Sequence, residues 1–279
     1  MRKVVSGKKK FSDDPVVSIV IPTSNSEKTL PLCLQSIKDQ TYLNVEVVVV
    51  DNCSMDDTAQ IAKKFGTKVL LLASERSYAR NLGAKEARGD FIFFVDSDME
   101  LTPTVIEECV ATCINEDTDA VIIPEVSVGE GFLAECRKME KETSVGDKFS
   151  EAPRFFRKEV FNSVGGYDEN LVSGEDFDFG TRTEKAGYKI WRIKAEIMHH
   201  EGELSMKKMA LKTYYYGKTL SSFVKKNPSL AMKTSCPIRY LRNIRLLRKH
   251  PIHFFGFIVI KLIEYIGYFI GVFASLLRV

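Results

Sequence analysis

Val16-Val17-Ser18-Ile19-Val20-Ile21, stopped by Pro22-Thr23-Ser24-Asn25, decides the fold. A β-branched run without polar alternation predicts a strand buried on both faces, ended by turn-forming residues. The pattern recurs: Val45 to Val50 is cut off by Asp51-Asn52-Cys53-Ser54, and Phe91 to Val95 runs into Asp96-Ser97-Asp98. Val69 to Leu72 is a further strand. Helical spacing fills the gaps. Leu30, Cys33, Leu34 and Ile37 share a face within residues 29–40, and residues 56–65 and 78–87 follow the same rule. Alternating strands and helices predict an α/β fold, a mostly parallel twisted sheet flanked by helices. Such sheets bind ligands beyond the carboxyl ends of their strands. Ser24, Asn25, Asp51, Asp96 and Asp98 stand at those ends.

At 279 residues, 44% hydrophobic and 28% charged, the chain is long and apolar enough to bury a sizeable core. That excludes a wholly disordered, collagen-like or disulfide-stapled protein. Neither GxGxxG nor GxxxxGK[ST] occurs, so the dinucleotide fingerprint and the P-loop are absent. Six cysteines, at 33, 53, 109, 113, 136 and 236, form no CxxC pair. They read as small buried hydrophobes in a reducing compartment. Residues 1–14 are basic and polar without an apolar core, a loose tail rather than a secretory signal.

The net charge of +3 conceals two different halves. Residues 1–203 carry 26 Lys and Arg against 36 Asp and Glu, whereas residues 204–250 carry 12 Lys and Arg and no acidic residue. Arginine recurs every third residue at Arg239, Arg242 and Arg245, beside Leu241, Ile244 and Leu247. On a helix this is the pattern of an in-plane segment on an anionic membrane surface, at the cytoplasmic side. From Ile252 to Leu277 only Lys261 and Glu264 are charged. A bilayer span needs about 20 apolar residues, so a single span is one reading and a broken hairpin around Gly267 and Gly271 another. Lys261 and Glu264, three apart, can pair on one helical face. Nucleic acid is the rival partner for so many positive charges, but the adjoining apolar run favours lipid.

Two carboxylates one residue apart, as in Asp96-Ser97-Asp98, can share a hard cation such as Mg²⁺ or Mn²⁺ with substrate phosphates. A solvated turn is the plainer reading. Glu175-Asp176 after Ser173-Gly174 suits an ordinary helix start through Lys185 and equally a catalytic base. His199 and His200 are adjacent, so on an extended segment they face opposite sides and only one can serve a site.

Together these strings resemble a known family. Val17-Ser18-Ile19-Val20-Ile21-Pro22-Thr23, Val49-Val50-Asp51-Asn52-Cys53-Ser54-Met55-Asp56, Ala79-Arg80-Asn81-Leu82-Gly83 and Phe94-Val95-Asp96-Ser97-Asp98 resemble the start of inverting family 2 glycosyltransferases of the GT-A fold. Gly165-Gly166-Tyr167-Asp168-Glu169 and Gly174-Glu175-Asp176-Phe177-Asp178 resemble their acceptor-side segment. The resemblance implies a UDP- or GDP-sugar donor and a divalent cation. By it, Pro22 and Ser24 line the nucleobase pocket and Asp51 accepts from the base edge. Arg80 lies near the diphosphate, Asp96 and Ser97 near the ribose and the metal, and Asp98 binds the metal, with His199 as a further ligand. Asp176 is the base and Glu175 holds the acceptor or caps a helix.

The implied domain, residues 15–203, divides into a donor half to about 100 and an acceptor half beyond it. Basic amphipathic helices at 204–250 and a membrane-associated helix or hairpin at 251–279 follow. Those segments point to an acceptor held in the bilayer, a polyprenyl or dolichyl (di)phosphate-linked lipid, and to the cytoplasmic face of the cell membrane. Were the acceptor a bare phosphate, Asp176 would only position it. Tyr214-Tyr215-Tyr216-Gly217-Lys218 then helps receive the lipid, or packs its aromatics into a core. A nucleotidyltransferase and a non-catalytic membrane scaffold are the alternatives.

Overall fold

The computed structural model describes residues 14–147, 150–202, 204–235 and 250–277. The first hundred residues alternate as expected: β1 (Val17–Thr23), α1 (Leu30–Lys38), β2 (Val45–Asp51), α2 (Thr58–Lys64), β3 (Lys68–Leu71), α3 (Arg76–Glu86), β4 (Phe91–Phe94). β1 lies between β2 and β4 and parallel to both, and β3 runs parallel to β2. The shared direction gathers the polar ends of β1, β2 and β4 at one edge.

The next hundred residues add β5 (Met99–Leu101), α4 (Val105–Asn115), β6 (Ala120–Ile122), β7 (Glu125–Val128) and α5 (Phe132–Ser144). β8 (Phe155–Arg157), α6 (Lys158–Val164), α7 (Glu175–Lys185), β9 (Ile190–Arg192) and β10 (Ile197–His200) complete them. The main sheet has the order β3-β2-β1-β4-β8-β6-β9, and β8 enters antiparallel between β4 and β6. A small sheet, β5-β10-β7, sits beside it. β1 is buried on both faces: Val17, Ile19 and Ile21 pack with Leu30, Leu34 and Val105, while Val20 packs with Phe94, Phe156 and Phe179. Cys33, Cys109, Cys113 and Cys136 are buried free thiols, Cys53 is exposed, and Cys236 lies outside the described residues.

α8 (Met206–Lys226), α9 (Pro228–Ser235) and α10 (Pro251–Leu276) follow. α10 is one continuous helix, which corrects the hairpin alternative. Gly267 and Gly271 do not break it because they form its contact face with α8. A Cβ on Gly217 would stand 2.5 Å from the Tyr268 carbonyl oxygen, and one on Gly271 would collide with that of Tyr214. Small residues thus let two helix backbones touch. Lys261 and Glu264 pair at 2.7 Å as expected, and both reach α5: Arg137 bonds Glu264 at 2.6 Å, and Lys261 bonds Glu140. The other face of α10 presents Ile252, Phe255, Leu262, Ile266, Phe269 and Phe273 to the outside. By length and composition the helix could cross a bilayer. The segment carrying Arg239, Arg242 and Arg245, and residues 1–13, lie outside the described residues.

Candidate active site

Pro22, Ser24, Asp96, Ser97, Asp98 and His199 line one cleft of about 350 Å³ at the carboxyl ends of β1, β2 and β4. Ser97 donates to Ser26 Oγ at 2.9 Å and pins the turn after β4 to the turn after β1. Asp51 lies beneath this surface. Thr23 Oγ1 donates to its Oδ1 at 2.8 Å, Ser54 Oγ to the same oxygen at 2.6 Å and the Ser54 amide to Oδ2 at 2.9 Å. Asp51 is buried, its oxygens held by Thr23 at the end of β1 and by Ser54 of the loop after β2.

Arg80 is the hub of the charged residues. Its side chain is 0% exposed. It donates to Asp96 Oδ1 at 2.8 Å and to Asp176 Oδ1 at 2.7 Å, and it lies 3.5 Å from Glu175 Oε1. Arg76, one turn earlier on α3, holds Glu175 at 2.6 Å and also lines the cleft. Glu175 is buried beside these arginines as the first residue of α7. Burial and the neighbouring Asp176 charge raise its pKa against the pull of Arg76 and Arg80.

Arg154, just before β8, closes the network, bonding Asp96 Oδ2 at 3.2 Å and Glu125 Oε1 at 2.7 Å. Burial alone would raise the Asp96 pKa, but Arg80, then Arg154 and Arg76, outweigh it and hold the carboxyl well below the usual range. Both Asp96 oxygens therefore face guanidinium groups.

Asp98 remains, 41% exposed at the rim of the cleft, with His199 Nε2 3.3 Å from its Oδ2. The pairing of β10 with β5 sets His199 opposite Met99 and so beside Asp98. His200 turns to the other side, onto Glu100 at 2.8 Å. Burial would lower the His199 pKa, but Asp98 and Glu125 hold it up at about 9. Its Nδ1 is 3.6 Å from Glu125 and has no hydrogen bond. Among the described residues no three His, Cys, Asp or Glu side chains form a ready-made metal cage. One open carboxylate and, once a metal displaces its proton, one imidazole nitrogen fit a hard cation that takes its remaining ligands from phosphates and water.

Asp176 lies at the start of α7, where Gly174 has φ +79° and a Cβ would press on the Phe223 ring at 2.7 Å. Only glycine meets both demands. Asp176 is 26% exposed and lines a second cavity of about 180 Å³ with Arg154 and Glu125. An unbroken chain of charged side chains, Asp98, His199, Glu125, Arg154, Asp96, Arg80 and Asp176, walls one cavity from the other.

Arg76, Glu125, Arg154 and Lys212 of α8, which also lines the cleft, are residues that sequence reasoning did not single out. Arg76 was within reach, since it stands four residues before Arg80 and shares its helical face. Arg154 was not, because only the antiparallel strand β8 carries it to Asp96: its carbonyl accepts from the Phe94 amide at 2.9 Å.

Residues 18–166 match the model of the family described as Glycosyl transferase family 2. The chain is 31% identical over 193 residues to Glycosyltransferase AglE of Haloferax volcanii, covering 63% of this chain and 64% of that one. It is 35% identical over 209 residues to a poly(ribitol-phosphate) beta-N-acetylglucosaminyltransferase, TarS, of Staphylococcus aureus, covering 71% and 35%. The matched part therefore spans from about a third to just under two thirds of these relatives' own lengths. Among solved structures, a mannosyltransferase from Pyrobaculum calidifontis in complex with GDP-Man and Mn²⁺ superposes with a TM-score of 0.65 at 15% identity, over 94% of this chain and 87% of that one. S. aureus TarS 1–349 in complex with UDP-GlcNAc superposes with a TM-score of 0.58 at 21% identity, over 90% and 89%. At such identities these likenesses speak for the fold, which agrees with the strand order found here. The family match covers more than half of the chain, and with it the nucleotidyltransferase reading loses its support: this protein belongs to glycosyl transferase family 2.

Proposed function

We propose that the protein is an inverting glycosyltransferase that moves a sugar from a nucleoside-diphosphate sugar to an acceptor held at a membrane. The observation that carries the proposal is the pair of adjoining cavities, one edged by Asp98 and His199 and the other by Asp176, on either side of the Arg80 network. The donor occupies the first, its base and ribose against Pro22, Ser24, Asp96 and Ser97. Arg76 and Lys212 supply positive charge toward the diphosphate from the rim. Asp98 and His199 would hold Mg²⁺ or Mn²⁺, which when bound neutralises charge on the leaving diphosphate. GDP-Man with Mn²⁺ and UDP-GlcNAc in the fold's solved relatives support this class of donor.

In the transfer, the acceptor oxygen forms a bond to the anomeric carbon from the face opposite the diphosphate. The bond from that carbon to the diphosphate oxygen breaks, and the nucleoside diphosphate leaves with the electron pair. Asp176 takes the acceptor's proton. Arg80 holds one oxygen of Asp176 and fixes the carboxylate's direction. For an acceptor that is already a phosphate anion, Asp176 only orients it.

The exposed apolar face of α10 and the acidic-free residues 204–250 support a membrane location, on the cytoplasmic side where the nucleotide sugar is dissolved. The test is a thermal-shift screen of UDP- and GDP-sugars with Mn²⁺, followed by turnover. A donor at about 100 times its Kd stabilises the fold by about 2.7 kcal/mol. Asp98→Asn should lose the metal-dependent part of that shift. Asp176→Asn should keep the shift and stop transfer to a hydroxyl acceptor; normal turnover in that variant would remove Asp176 as the base.

A further inference from the structure

Beyond the Asp176 cavity lies a third, of about 860 Å³, between the start of α7 and the helices α8 and α10. Its walls are Phe177, Leu220, Phe223, Tyr265, Tyr268 and Phe269. That volume and largely apolar wall are typical of a small-molecule site. Two features give it a direction. Lys141, Ser150 and Phe177 line both this cavity and the Asp176 cavity, so the two are neighbours with Phe177 as the partition. Phe269 lines the cavity and is also 74% exposed on the outer face of α10, so the apolar wall continues into the apolar outside of the molecule. The end toward α5 is polar, bordered by Glu140, Lys141, Lys261 and Glu264. Asp176 thus has, on the side away from the Asp98 cleft, charged groups and a neighbouring apolar slot behind Phe177.

We propose that this slot binds the hydrocarbon chain of a lipid acceptor, drawn sideways from the bilayer past Phe269, with its polar end lodged beside Lys141 and Asp176. Continuity of the slot with the exposed face of α10 argues for a lipid as the occupant. So does charge: α8 and α9 carry Lys207, Lys208, Lys212, Lys218, Lys225 and Lys233 and no acidic residue, which complements an anionic headgroup layer. The slot also explains why a helix as apolar as α10 keeps Lys261 and Glu264. Their bonds to Arg137 and Glu140 latch the helix to the catalytic domain, and α10 thereby serves as one wall of the site. This inference rests on the glycosyltransferase reading for its purpose, though chain binding can be measured without any sugar donor.

The test uses the full chain in vesicles of phosphatidylcholine and phosphatidylglycerol, with a polyisoprenyl phosphate bearing a diazirine at the end of its chain. After irradiation, labelled peptides are mapped by mass spectrometry. The expected result is labelling of residues 177, 220–223 and 265–269, suppressed by unlabelled polyisoprenyl phosphate. Labelling confined to the outer face at Phe255 and Phe273 would overturn the slot, as would crosslinks between two copies of the chain with no lipid label. As a second measurement, Leu220→Trp should fill the slot and raise KM for the lipid acceptor by about tenfold or more. The donor-induced thermal shift serves as its folding control. An unchanged KM in a folded Leu220→Trp protein would also overturn the proposal. Absence of a donor shift and of transfer in the unaltered protein, with slot labelling intact, would instead sink the glycosyltransferase reading and leave the lipid site standing.

Discussion

Two buried ion networks in this molecule use the same side chains for different ends. The first centres on Arg80 and ends in two carboxylates left partly open, Asp98 at 41% and Asp176 at 26% exposed. The second joins Arg137 and Glu140 of α5 to Lys261 and Glu264 of α10, all four between 13% and 16% exposed. Two cations meet two anions there, and each is bonded to at least one opposite charge. The second ties α10 to α5 and is a latch. The first leaves two carboxylates partly open, poised to receive something, and borders both cavities assigned to the reaction.

The comparison breaks most visibly at Arg80. Arg80→Met leaves Asp96, Glu175 and Asp176 without their shared cation, and should cost about 3–5 kcal/mol in chemical denaturation. The same variant should flatten the acid limb of the stability curve. Asp96 titrates far below its unfolded value of about 3.9, so its stabilising effect is complete above about pH 5 and is lost as pH falls. Without Arg80 that difference shrinks.

The latch should respond differently to single and double changes. Lys261→Met takes the lysine cation from Glu140 and Glu264 and should cost about 3 kcal/mol. Lys261→Met combined with Glu264→Met leaves Arg137 and Glu140 paired at 2.6 Å, and should return to within about 1 kcal/mol of the unaltered protein. A double variant as damaged as the single one would mean that the latch is not self-contained. Gly271→Leu tests the helix contact beside it: the added side chain meets the backbone of α8, at a cost of about 1–3 kcal/mol by thermal melting. The smallest effect belongs to Asp98→Asn, which should move stability by no more than about 0.5 kcal/mol, because the side chain is open to solvent. A large loss there would make Asp98 a structural residue.

Much of the first hundred residues was legible beforehand because the signals there are local. A β-branched run, a turn cluster and a helical spacing each lie within a dozen residues, and β1 to β4 came out within about two residues of the expected limits. The helix start at Glu175 and the opposite facing of His199 and His200 were likewise readable from neighbours in sequence. The partners of the charged residues were not. Around Arg80, Asp96, Glu175 and Asp176 claim the guanidinium across separations of 16, 95 and 96 residues.

The sequence by itself determined the α/β sheet, the strand ends that carry polar residues, the cationic stretch and the apolar final helix, since each follows from residue spacing along one element. Tertiary structure alone decided that Asp51 and Glu175 are enclosed, that β8 brings Arg154 to Asp96, and that Gly267 and Gly271 seat α10 on α8. The physical reason is that a charge or a missing side chain acquires its role from whatever packs against it. For these residues that neighbour comes from a distant stretch of chain, placed by strand pairing and helix docking.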